Sequence, residues 1–108
     1  MLKIEQVRGF NYQPSYAYTG ADIWRRFDAA AIDRELGWGT RHFPGMNAVR
    51  LWLAWEVFGL GSDAEREAFL AHVDTAFGIA ARHGLAVMPV LFNRWHAGSP
   101  DLDRKSVV

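Results

Sequence analysis

The strongest periodic pattern in the chain lies between residues 63 and 82. There Phe69, Val73, Ala76, Phe77 and Ala80 recur at helical spacing and form one apolar stripe. Ser62 and Glu65 open this segment as an S-x-x-E capping box, which satisfies N–H groups left unpaired at a helix start. His83 followed by Gly84 supplies a C-terminal stop. Upstream, Ile32 and Leu36 share one helical face of "AAAIDRELGW", with Asp28 as the N-cap. Gly37, Gly39 and Pro44-Gly45 are expected to weaken and then end that helix. Three short apolar runs predict strands: Val7 to Tyr12, Ala48 to Leu53, and Leu85 to Phe92. The third run, "LAVMPVLF", is almost continuously apolar, as in a parallel strand covered on both faces. The stretches "QPSYAYTGAD" and "EVFGLGSD" read as loops.

The order is therefore β-α-β-α-β, an α/β arrangement of parallel strands joined by crossover helices. Two architectures begin this way, a doubly wound open sheet and an eight-stranded (β/α)8 barrel. The turn after the first strand reads "NYQPSYAYTG" and contains neither G-x-G-x-x-G nor a Walker pattern, so a nucleotide-binding fold loses ground. No internal repeat or low-complexity segment interrupts the pattern.

Composition narrows the function classes. Half of the 108 residues are hydrophobic and 22% are charged, as in a soluble globular protein. Lys+Arg and Asp+Glu number 12 each and no basic cluster appears, so no nucleic-acid partner is expected. The absence of Cys excludes disulfides and thiolate metal sites. Neither a signal peptide nor an apolar run of roughly 20 residues is present, so no membrane partner is expected. The expectation is a soluble chain whose compartment stays open, with the cytoplasm as the default.

One charge stands out against this background. "NAVRLWLAW" places Arg50 inside an apolar, aromatic-rich run, where an unpaired buried charge is very unfavourable. Strand alternation puts Val49, Leu51 and Leu53 on one face and Ala48, Arg50 and Trp52 on the other. With the first set against helices, Arg50 and Trp52 line a barrel interior near its active end, where a carboxylate from another strand can pair with Arg50; the alternative is an arginine at an exposed strand end with an incidental ion pair. Asn11 and Tyr12 reach the same rim from the first strand, and Asn93, Trp95 and His96 from "FNRWH" after the third. With Trp52 and Trp55, these amides, rings and imidazole suit a sugar site, since aromatic faces pack pyranose rings and polar groups bind hydroxyls. His96 has no second His at ligand spacing, so no metal is expected, and no cofactor. The paired carboxylates of glycoside hydrolysis are not evident. Glu56 has no obvious partner, and Asp33, Glu35, Asp63, Glu65 and Glu67 read as solvated helix charges.

The segments "RGFNYQPS", "FDAAAIDRELGW", "GMNAVRLWLAWEVF" and "EAFLAHVDTAFGIAARHGLAVMPVLFN" together resemble the amino-terminal part of clan A glycoside hydrolases. The nearest likeness is to the cellulase-like family 5 group, including proteins labelled 1,4-beta-xylanase. It runs from about Arg8 to Trp95, and its most specific pieces are "IDRELGW", "MNAVRLWL" and "HGLAVMPVLF". The resemblance implies a (β/α)8 TIM barrel and retaining hydrolysis of β-linked polysaccharides by two glutamates, after the fourth and seventh strands. It implies for Arg50 a role supporting the nucleophile, and His96 falls near a histidine that some relatives carry. The chain departs from the family in two ways. It stops soon after the third strand, so both glutamates are missing, and "GTRHFPGMN" is a longer link than usual. The expectation is an amino-terminal hydrolase fragment, residues 1–102, inactive alone and with no catalytic residue of its own. A noncatalytic carbohydrate-binding or interaction protein is the alternative, and an open α/β ligand-binding domain a third. Residues 103–108, "DRKSVV", match the one-frame translation of a common short-read sequencing adapter whose next codon is a stop, so a foreign tail is expected there.

Overall fold

A computed structural model describes residues 3–91, the side chain of Trp55 excepted. After a 3-10 turn at Ile4–Gln6 come β1 (Gly9–Tyr12), α1 (Gly20–Arg25), α2 (Ala29–His42), β2 (Ala48–Trp52), α3 (Trp55–Gly59), α4 (Asp63–Arg82) and β3 (Ala86–Val90). The strands form one parallel sheet in the order β1-β2-β3. The expected β-α-β-α-β order is present, with two short helices added.

Both additions correct the sequence reading. The stretch expected as the loop "QPSYAYTGAD" runs into α1, because Thr19 caps it. Thr19 Oγ1 accepts from the Asp22 N–H at 3.3 Å, and Asp22 Oδ2 accepts from the Tyr18 and Thr19 N–H groups. The helix then buries Ala21, Ile23 and Trp24. Similarly "EVFGLGSD" begins inside a helix, α3, which buries Val57 against the core. Neither segment is long enough for a periodicity argument, so burial rather than pattern makes them helical.

The long helices follow their caps. Asp28 Oδ1 accepts from the Ala31 N–H at 3.1 Å at the start of α2. Ser62 and Glu65 bond reciprocally at the start of α4. At its end, Gly84 adopts the left-handed conformation with φ 73°. However, α2 does not weaken at Gly37 and Gly39, as their composition suggests, but continues to His42. Both glycines mark close approaches: a Cβ on Gly37 would lie 3.3 Å from the His83 ring, and one on Gly39 3.3 Å from Met46 Cε.

The two crossover helices, α2 and α4, pack on each other and cover the same face of the sheet. Right-handed crossovers between neighbouring parallel strands require this when the strands lie in sequence order. Val49 and Leu51 of β2 point into that layer, with Ile32 and Leu36 of α2 and Ala76, Ile79 and Ala80 of α4. Phe69 of the α4 stripe is buried and Val73 packs against the core. The other face of the sheet is open among the described residues. Its centre is the row Asn11, Arg50 and Met88, aligned by strand register and all exposed.

The expected double-sided cover of β3 is therefore absent within residues 3–91, where Ala86, Met88 and Pro89 are exposed. The ladder also fixes the orientation of Pro89. Ala86 N–H donates to Asn47 O, and Val90 O accepts from Leu53 N–H. By alternation, Val87 and Pro89 direct their backbone away from β2. At the opposite edge, β1 is bordered by an apolar hollow of about 650 Å³ lined by Phe10, Phe43 and Met46.

Candidate functional site

The open face gathers three of the sequence-predicted residues, Asn11, Arg50 and Trp52, around β2. Arg50 pairs in register with Asn11 of β1 on one side and Met88 of β3 on the other. Together with Gly9 and Ala48 they line a shallow hollow of about 290 Å³. The Arg50 guanidinium stands over the Trp52 ring, 5.5 Å from its centroid. No carboxylate among the described residues forms an ion pair with it. Arg50 thus escapes burial by facing the uncovered side, where its charge keeps solvent. Such a face offers a fork of N–H donors, an amide and an aromatic plate to whatever lies across it.

Tyr12 does not join this group. Strand alternation turns it from Asn11's face into the helix layer, where it is 7% exposed. Its hydroxyl donates to Glu35 Oε1 at 2.8 Å. Burial, reinforced by that carboxylate, pushes its phenol well above the ordinary range, so the proton stays available for donation. Trp55 opens α3, just beyond β2. Asn93, Trp95 and His96 lie outside the described residues.

Glu35, read from sequence as a solvated helix charge, is a half-buried junction. Besides Tyr12 it accepts from the Ser15 N–H at 3.1 Å and from the Ser15 hydroxyl. These contacts tie the loop after β1 to α2. Burial raises the pKa of its carboxyl, but the Ser15 and Tyr12 hydrogen bonds outweigh it and hold the group below the usual glutamate range. A depressed folded-state pKa stabilises the fold fully above the unfolded value, about 4.3 for glutamate, and the contribution is lost as pH falls through the folded value. Urea midpoints measured down the acid range should therefore fall more steeply for the native chain than for Glu35→Gln. Parallel slopes would remove Glu35 from the acid response. The sequence did carry a signal: Glu35 directly precedes Leu36 and so borders the apolar face of α2.

Asp33 is likewise engaged, since His83 Nε2 lies 2.7 Å from its Oδ1 and Arg82 lies 3.6 Å away. The His83 contact holds the Asp33 carboxyl below its ordinary range. This pair joins the end of α4 to α2. Glu56 is the acidic residue that composition least explains: it is 7% exposed, and its Oε2 has no hydrogen-bond partner among the described residues. No group of three or more metal-ligating side chains occurs among the described residues. No helix there is long and apolar enough to cross a membrane.

Residues 3–91 thus define an α/β chain whose parallel sheet has one helix-covered face and one open face with Asn11 and Arg50 at its centre. No protein-family profile, curated protein or solved structure matches it.

Proposed function

We propose that the chain is the amino-terminal part of a (β/α)8-barrel glycoside hydrolase of the cellulase-like group, whose parent cleaves O-glycosyl bonds of β-linked polysaccharides such as xylan, cellulose or mannan. The observation that carries this reading is Arg50 in the central strand, facing away from both crossover helices beside Asn11. A doubly wound sheet covers its second face with helices and therefore makes that face apolar. A barrel instead turns that face inward and collects polar side chains towards the carboxyl ends of its strands. The run "QPSYAYTG" after β1, with no phosphate-binding glycine pattern, supports the same choice.

On this reading Arg50 presents paired hydrogen bonds to a carboxylate on a later strand and keeps that carboxylate ionised for nucleophilic attack. Asn11, Trp52, Trp55, Asn93, Trp95 and His96 are candidates for sugar contacts, whereas Tyr12 serves the framework. The chain alone has neither an acid/base nor a nucleophilic glutamate and hydrolyses nothing. Resequencing the source DNA across codon 103 tests the proposal, the expected result being a reading frame that continues into a fourth strand followed by Asn-Glu. A stop at the same place in adapter-free reads overturns it in favour of a noncatalytic carbohydrate-binding protein. In the longer enzyme, Arg50→Lys should lower kcat/KM by about 10–100-fold, the equivalent of one charge-assisted hydrogen bond. Unchanged kinetics would take Arg50 out of the site.

A further inference from the structure

The β1–β2 ladder ends in an unusual way. Ala48 N–H donates to Arg8 O, so the backbones of Ala48, Arg50 and Trp52 face β1. Each following bond moves two residues along both strands, and the donor due at Trp52 O is the N–H of residue 14. Residue 14 is proline and has none. The indole N–H of Trp24 takes its place, donating to Trp52 O at 3.0 Å. Trp24 comes from α1, a different segment of the chain, and is only 2% exposed. Its ring is held between Phe27, with centroids 6.0 Å apart, and Phe69, at 5.4 Å, both nearly parallel to it. Phe27 stacks in turn on His72 of α4 at 4.3 Å.

We infer, on the reading that the carboxyl ends of the strands form the ligand end, that Trp24 is a positioning residue for the Arg50–Trp52 pair. The peptide plane of Trp52 sets where its ring stands, and that ring carries the Arg50 guanidinium. The Trp52–Leu53 peptide is held on its β3 side by Leu53 N–H, which donates to Val90 O, and on its β1 side by the clamped indole; without Trp24 the plane is held from one edge only. Trp24 therefore completes the hold on the plane that directs the guanidinium, from the helix side of the sheet and without touching the open face. It also couples the connection after β1 to the end of β2, so that the two loops present their side chains in one arrangement.

Proton NMR of the 108-residue chain reads this geometry directly, and independently of any hydrolysis. With the Arg50 Cζ over the Trp52 ring, the ring current is expected to displace the nearby Arg50 δ-protons upfield, and Trp52→Leu identifies that displacement by removing it. Trp24→Phe keeps an aromatic ring in the stack but lacks the donor. The expected result is a folded chain whose Arg50 δ-protons move to their position in Trp52→Leu. Phe27→Leu loosens the same stack with the donor intact and should keep the displacement. Adding Pro14→Ala to Trp24→Phe returns a ladder donor and should restore it. Retention of the displacement in Trp24→Phe, or its loss in Phe27→Leu as well, overturns the inference. If Trp24→Phe does not fold, the double variant decides: folding with the displacement restored supports the inference, and any other result overturns it.

Discussion

Trp24→Ala should destabilise the described fold by about 3–5 kcal/mol, the range for removing a large aromatic side chain from a packed core. That is a large part of the roughly 5–15 kcal/mol that holds an ordinary domain together. The variant loses three things at once: the volume of a side chain only 2% exposed, two stacked ring contacts, and the hydrogen bond to Trp52 O. Urea denaturation followed by circular dichroism measures the change. A shift of less than about 1 kcal/mol, as for a surface substitution, would mean that the ring is not packed as described.

Gly9→Ala should be nearly as severe, through crowding rather than a void. A Cβ built on Gly9 would lie 2.3 Å from Ala48 O and 2.8 Å from Ala48 C, closer than non-bonded atoms approach. Both contacts are with backbone of the partner strand, so no side-chain rotation relieves them, and β1 has to move away from β2. Overpacking of a fixed neighbour costs about 1–3 kcal/mol, and the upper end applies where the ladder itself must break. The expected result is loss of amide protection at Phe10 and Tyr12, whose N–H groups face β2, in hydrogen exchange, with α4 retaining its own. Unchanged protection in β1 would show that the strands can separate locally without harm.

The long elements were legible because each carried redundant information. In α4 the capping box, the apolar stripe and the His83-Gly84 stop all specify the same boundaries. β2 was legible from alternation, which also placed Arg50 and Trp52 opposite Val49 and Leu51. The short helices α1 and α3 were not, since a helix of one or two turns has no room for a periodic stripe and depends on what it is pressed against. Alternation holds at the end of β1 too, and it separates two residues that proximity in sequence groups together. Asn11 and Tyr12 adjoin in sequence and looked like two rim residues, yet a strand must send neighbours to opposite faces. Tyr12 therefore bonds Glu35 in the helix layer, while Asn11 joins Arg50. The roles of Glu35 and Trp24 depend on partners 20 and 28 residues away, Ser15 and Trp52, a separation that no local pattern records.

The backbone directions described for β3 make the two margins of the sheet chemically unequal. On the β1 side, Gly9 and Asn11 turn intact N–H and C=O groups outward, next to the apolar hollow of Phe10, Phe43 and Met46. On the β3 side, Pro89 interrupts the series with a position that accepts but cannot donate. Strand addition to these residues therefore has a polarity. An incoming strand finds a complete template and an apolar foothold at β1, and a broken template at β3. Copies of the chain joining edge to edge would meet that interruption at each β3 margin, which limits how far a ribbon of them can extend.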